Sequence, residues 1–347
     1  MIHTLTFFIL ALTSPKAITQ ERAPVPQAQL ESIAFPGVPR GYMILGETPQ
    51  APAGYTSTGW TLLAATGDAP CVALGPMSNN REGAPAVEAN GKIYLLGGIN
   101  TKSGLAEPTA IEYDPSSDTW TRKNAQMSMP RLAHAAAVVA GRIFVFGGFA
   151  GTQILATVEE YDPDLDQWYV RAQMPTPRQS LAVAAVGDKV YALGGIGTDI
   201  TALATVEEYD TATDTWQARG PMRIARHSFA ATSFDGRVLV FSGATDEYNP
   251  IADEWTVRTT ATGGSATWAT TEGGRILLVS STAVREYDPA TNIFRGLGEF
   301  TVYKNDASLA CAGDKLFLMG GRGLIDPPPT ERFNLGAWRR IYVHRRN

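Results

Sequence analysis

From about residue 85 onward the chain repeats one order of hydrophobic and polar positions. A run of small residues, clearest as AHAAAVVA from Ala133 to Ala140, passes through a turn into an unbroken apolar quartet closed by two glycines. The quartet reads IYLLGG to Gly98, IFVFGG to Gly148, VYALGG to Gly195 and LFLMGG to Gly321, with weaker copies VLVFSG to Gly243 and ILLVSS to Ser281. A polar stretch of variable length follows, then a segment ending in Tyr-Asp, a tight turn, and a last segment opening on an aromatic. Each unit therefore predicts four strands separated by turn residues. The small-residue strand suits a crowded axis, and the second strand, apolar on both faces, suits burial between neighbouring sheets.

The aromatics keep register with the glycines. Tyr113/Trp120, Tyr161/Trp168, Tyr209/Trp216, Tyr248/Trp255 and Tyr287/Phe294 are each seven apart, and Phe333/Trp338 are five apart. Between the members of three pairs, Asp-Pro (Asp114-Pro115, Asp162-Pro163, Asp288-Pro289) sets a turn, because Pro fixes φ and Asp bonds its own backbone. Asp162, Asp164 and Asp166 alternate as in a calcium loop but lack its glycine and closing glutamate, so they read as a hairpin turn.

Glycine pair, Tyr and Trp recurring together at a period of about 50 resemble the kelch repeat, from Pro85 to Trp338. The resemblance implies an all-β fold, a β-propeller whose blades are four-stranded antiparallel sheets around a channel. Six units are clear. Upstream, GYMILG (Gly41 to Gly46) looks like a worn second strand and Tyr55/Trp60 repeat the five-residue spacing of Phe333/Trp338. Leu30 to Asn347 divided by seven gives about 45 residues per unit, so seven blades are favoured, the first of them degenerate.

Composition narrows the partners. With 44% hydrophobic residues, 34 Gly and a net charge of −5, the chain is globular and carries no long basic block, which argues against nucleic acid as a partner. Leu5 to Leu12 is apolar but far short of the roughly 20 residues of a membrane-spanning helix. It reads as the core of a signal peptide over 1–17, followed by a Pro/Gln-rich linker over 18–29 and a propeller over 30–347. The expected product is a secreted or periplasmic monomer with no membrane insertion after signal removal; the alternative is a cytoplasmic one. Cys71 and Cys311 can make one disulfide at most, across the seam that ring closure creates.

Chemistry is expected on the face where one blade links to the next. Ten residues before the turn that precedes each apolar quartet stand Arg81, Arg131, Arg178, Arg226, Gly264 and Lys304. As a guanidinium ring at the channel mouth they would suit forked contacts to carboxylate or phosphate; as internal braces they would pair with neighbouring carboxylates or carbonyls. The resemblance favours contact, since arginines at such positions meet the ligand in kelch proteins that bind acidic peptides. A second cationic series, Lys92, Arg142, Lys189, Arg237, Arg275 and Lys315, opens the second strand at the opposite side and reads as a solvated rim. Trp268 interrupts the small-residue column, either as filler or as a stacking platform for a sugar ring or a peptide aromatic. The stretch from glycine pair to Tyr is long in the first three units and clipped in the next two, making a wall beside a low side.

Signatures of catalysis are thin. The two His, two Tyr and Cys of a copper radical oxidase are unmarked, no zinc or iron spacing, phosphate loop or nucleophile elbow is present, and no cofactor or metal is expected. The leading expectation is a recognition module for an acidic peptide or glycan, with Arg81, Arg131, Arg178, Arg226, Trp268 and Lys304 as ligand contacts. The alternative is a metal-free mutarotase or epimerase acting on an acidic sugar, for which Glu82, His227 and Asp306 are the acid/base candidates.

Overall fold

In the computed structural model, which describes residues 43–46, 55–64, 71–77, 79–260, 266–301, 306–322, 329–335 and 338–346, strand follows strand without a helix among the described residues. The leader expected over 1–17 and the linker over 18–29 lie outside the described residues. Two compact units are formed, one from Pro70–Asn334 and one from Met1–Ala69 with Leu335–Asn347.

Pro70–Asn334 makes six four-stranded antiparallel sheets, the blades of a propeller, each running a to d outward from the axis. Blade 1 is Ala86–Ala89, Lys92–Leu96, Thr109–Asp114 and Thr119–Gln126; blade 2 is Ala135–Val139, Arg142–Phe146, Val158–Asp162 and Gln167–Arg171. Blade 3 comprises Ala182–Val186, Lys189–Leu193, Val206–Asp210 and Thr215–Arg219, and blade 4 Ala230–Phe234, Arg237–Ser242, Ala244–Asn249 and Glu254–Thr259. Blade 5 is Trp268–Glu272, Arg275–Ser280, Ala283–Asp288 and Ile293–Glu299. Blade 6 takes Ser308–Ala312, Lys315–Met319 and Pro329–Asn334 from the end of the unit and Cys71–Pro76 from its beginning.

That borrowed strand corrects the expected count from seven to six. Cys71–Pro76 lies beside Pro329–Asn334, with Cys71 opposite Phe333, and so occupies the place expected for Trp338. Trp338–Arg346 instead forms the centre of a separate three-stranded antiparallel sheet, flanked by Met43–Gly46 and Tyr55–Ala64. GYMILG and Tyr55/Trp60, read as a worn blade, belong to this second unit. The seam disulfide is corrected as well. Cys311 is on the innermost strand of blade 6 and Cys71 on the outermost, three strand steps or about 14 Å apart, twice the reach of a disulfide. Cys311 is free and buried.

The apolar second strands form the core between blades, as their composition requires: Ile143, Val145 and Phe146 are fully buried, as are Val190, Ala192 and Leu193. The repeated aromatics explain the register. Tyr161 and Trp168 lie opposite each other with ring centres 4.8 Å apart, and Tyr161 donates its hydroxyl to Asp166 at 2.8 Å. Asp166, in the left-handed conformation at the hairpin, accepts the Asn124 amide at 3.0 Å, so the turn of blade 2 grips the outer strand of blade 1. Blade 3 grips blade 2 the same way, through Asp214 to the Ala172 amide at 2.8 Å and Trp216 to the Ala172 carbonyl at 2.9 Å. Asp162 accepts the amides of Asp164 and Leu165, which makes the Asp162/Asp164/Asp166 run a hairpin turn, as expected.

Candidate functional site

Each innermost strand begins at one end of the channel, and the links that carry the arginine series enter there. The arginines do not face the channel as a ligand-binding ring. Arg81, Arg131 and Arg178 are fully buried and Arg226 is 8% exposed. Arg178 donates Nη1 to the Gly194 carbonyl at 3.1 Å and Nη2 to Glu207 at 2.6 Å. Arg131 repeats this with Gly147 at 3.1 Å and an ion pair to Glu159. Arg226 pairs with Asp246 at 2.8 Å, and Arg81 reaches Gly97 at 3.1 Å, Thr109 at 3.2 Å and Glu107 at 3.5 Å. Burial lowers the Arg131 and Arg178 pKa values and brings Arg81 to about 10, while the paired carboxylates pull the other way.

The same residues also brace successive blades through their main chain. The carbonyl of Arg131 accepts the Gly98 amide at 2.8 Å, that of Arg178 the Gly148 amide at 2.9 Å, and that of Arg226 the Gly195 amide at 2.9 Å. This contact fixes the glycine pair. A Cβ on Gly147, whose φ is +60°, would sit 2.3 Å from the Arg178 carbonyl oxygen. The expected arginine contacts to a ligand are thus corrected: Arg81, Arg131, Arg178 and Arg226 are internal latches, buried and each held by a carboxylate of the same chain. The partner carboxylates went unread, although Glu159, Glu207 and Asp246 all stand two residues before the third-strand tyrosine. Lys304 and Gly264 lie outside the described residues.

Two residues beyond each latch runs a second feature. Gly83, Ala133, Ser180, Ser228 and Asp306 all have left-handed φ values between 50° and 62°. Their main chains join around the channel: Ser228 donates to Ser180 at 2.9 Å, Ser180 to Ala133 at 2.7 Å, Ala133 to Gly83 at 3.2 Å, and Gly83 to Asp306 at 3.0 Å. Four of the five are small residues, so only their common offset along the repeat could have signalled the belt.

Above the belt opens a cavity of about 510 Å³ lined by the starts of all six innermost strands. Its larger or polar members include His134, Ser180, Ser228, Phe229, Trp268 and Asp306. His134, wedged between blades 1 and 2, has its imidazole pKa pushed down to about 3, first by burial and then by Arg131. Trp268 is half-buried in the lining. The three acid/base candidates have separate fates. The Glu82 carboxylate is gripped by Arg322, at 2.7 Å through Nη2; His227 is exposed with Nδ1 3.2 Å from the Ser228 hydroxyl; Asp306 is exposed at the cavity. On the opposite side, Lys92 pairs with Glu112 at 2.5 Å and Arg275 with Glu286 at 3.1 Å, while Arg142 and Lys189 pair with Asp162 and Asp210.

The mouth is asymmetric. The second and third strands of blades 1 to 3 are joined by long loops, whereas Gly243 alone joins them in blade 4 and Ser281-Thr282 in blade 5. In the long loop of blade 3, Ile200 is 72% exposed at φ 63°, an outlier for a β-branched residue.

A family model for the KLHDC2/KLHL20/DRC7 Kelch-repeats domain matches residues 55–243, more than half of the chain. Kelch-like protein 33 of Homo sapiens is 36% identical over 95 residues, 27% of this chain and 17% of its own length. Beta-scruin of Limulus polyphemus is 37% identical over 100 residues, 27% of this chain and 11% of its own. Kelch domain-containing protein 9 of Homo sapiens is 38% identical over 84 residues, 23% and 24% of the respective chains. The matched stretch is thus a quarter or less of each relative's length.

Proposed function

The chain belongs to the kelch-repeat family, and we propose that it is a non-catalytic protein-interaction module whose partner docks on the face around the channel mouth. The observation that carries this reading is the asymmetric mouth, with three adjacent long loops standing beside two clipped ones and an open cavity between them. A surface shaped in this way offers a partner one orientation rather than six. The exposed, strained Ile200 supports the reading, since a side chain held outward at a backbone cost is characteristic of contact positions. The acidic-ligand preference expected from the arginines is not part of the proposal, because those groups are spent inside the latches. The mutarotase alternative loses Glu82 to Arg322. A glycan remains a second reading, favoured by the half-buried Trp268 in a lining that also carries Ser180 and Ser228. Export is part of the same proposal and rests on the Leu5 to Leu12 run; the mass of the mature N-terminus tests it.

The test of docking is to select binders from a random peptide library on the immobilised full chain and map the best of them by hydrogen exchange. Protection in residues 97–108, 147–157 and 194–205 or at the starts of the innermost strands supports the proposal. Protection confined to the outer strands overturns it.

A further inference from the structure

The lining of the mouth has the opposite charge from the one the arginine series suggested. Among the described residues it contains one carboxylate, Asp306, and no lysine or arginine. His134 contributes no charge near neutral pH, and the four latch guanidinium groups are sealed behind the strand starts. Asp306 is exposed, and among the described residues no cation pairs with its side chain. Beside it the lining is aromatic. Phe229, Trp268 and Asp306 come from blades 4, 5 and 6 in succession, on the side where Gly243 and Ser281-Thr282 leave the approach low.

We propose that this mouth receives the cationic end of a basic side chain of the protein partner, a lysine ammonium or arginine guanidinium bound by Asp306 beside Trp268. The proposal rests on the docking reading and names the chemistry of its central contact. A carboxylate offers a charge-assisted hydrogen bond, and an aromatic face attracts a cation through its quadrupole. The long apolar stem of Lys or Arg fits a lining in which Ala side chains are the commonest and Leu, Val and Pro also occur. An incoming carboxylate would instead meet a like charge with no compensating cation among the described lining residues.

The peptides selected on the full chain are scored for Lys and Arg against Asp and Glu. The best peptide, and a version with its basic residue changed to norleucine, are then titrated by fluorescence anisotropy against the wild type, Asp306→Asn, Trp268→Ala and the rim control Arg237→Ala, each checked by thermal melting. Basic residues should be enriched, and the norleucine change, Asp306→Asn and Trp268→Ala should each weaken binding about fivefold or more, with Arg237→Ala unchanged. Should Trp268→Ala fail to fold, the exposed Asp306→Asn carries the test. Enrichment of acidic or neutral peptides, or a basic preference untouched by Asp306→Asn, overturns this inference and leaves the docking reading standing. Choline binding more tightly than the peptide would give the site to a free ammonium compound and overturn it too. Retention of no peptide overturns both.

Discussion

The amide nitrogen of Gly321 lies 2.6 Å from the carbonyl oxygen of Arg81, a hydrogen bond joining the sixth blade to the first. It is the same contact that Gly98, Gly148 and Gly195 make with the next blade's arginine, so the seam is closed by the device used between consecutive blades. The arginine is therefore at once a connector through its carbonyl and a brace through its guanidinium.

Removing a brace should leave a buried carboxylate without its cation. Arg178→Ala is expected to cost about 3–5 kcal/mol in urea unfolding, because Glu207 is 3% exposed. Arg178→Lys should recover only part of this, since an ammonium cannot span Gly194 and Glu207 together. A loss below about 1 kcal/mol would show that the latch is not a stability element.

Two glycines with nearly the same backbone separate steric from conformational cost. Gly147 and Gly187 have φ values of +60° and +59°, yet only Gly147 faces a carbonyl. Gly187→Ala should cost about 1 kcal/mol from the left-handed backbone alone. Gly147→Ala should cost about 3 kcal/mol or more, since the Arg178 carbonyl must move and its hydrogen bond to Gly148 with it. Equal losses in thermal unfolding would contradict the close approach.

Stability should depend on pH through His134. Its folded pKa lies near 3 and that of an unfolded histidine near 6.5, so the unfolded chain binds the extra proton between those values. Folding free energy is then complete above about pH 6.5 and falls by about 1.4 kcal/mol per pH unit below it, before carboxylates begin to titrate. His134→Leu should flatten the profile between pH 6.5 and 5 in denaturant titrations. An unchanged slope would assign the dependence elsewhere.

The thiols should both be free. Burial pushes the Cys311 pKa up to about 12, so alkylation of the folded protein at that residue should be slow and limited by opening. Denaturation without reductant should release two titratable thiols, and a mass lower by two protons would contradict the strand order.

The blade repeat was legible because each unit writes its own strands locally: small residues, an apolar quartet, glycines, Tyr and Trp at fixed offsets. Closure was not, because the pairing of Cys71 with Phe333 joins segments at opposite ends of the unit, and CVALGP carries no aromatic of the kind that marks the other outer strands. The arginines illustrate a different limit. Their regular spacing was visible, but regularity is shared by ligand rings and by internal braces. What separates the two is a carboxylate 20 to 29 residues onward, and that partner shows only when the later strand or loop folds back beside the link. Trp268 stood out in the sequence as a bulky residue in a column of small ones, and it lies half-buried in the lining of the mouth. Asp306 was read as a catalyst, and the structure places it, exposed, in the lining of the channel mouth.

The borrowed strand also sets an order of events during synthesis. Cys71–Pro76 leaves the ribosome early, but its partner strand ends at Asn334, so the two cannot pair until about 260 residues have been added. At about 5–20 residues per second that delay is ~13–50 s, during which the five preceding blades can assemble outward from their own local contacts. The nascent chain thus carries an unpaired strand at its head for most of its translation, and completion of the ring is the last step rather than the first. A chain truncated before Pro329 would keep its blades and lose its clasp.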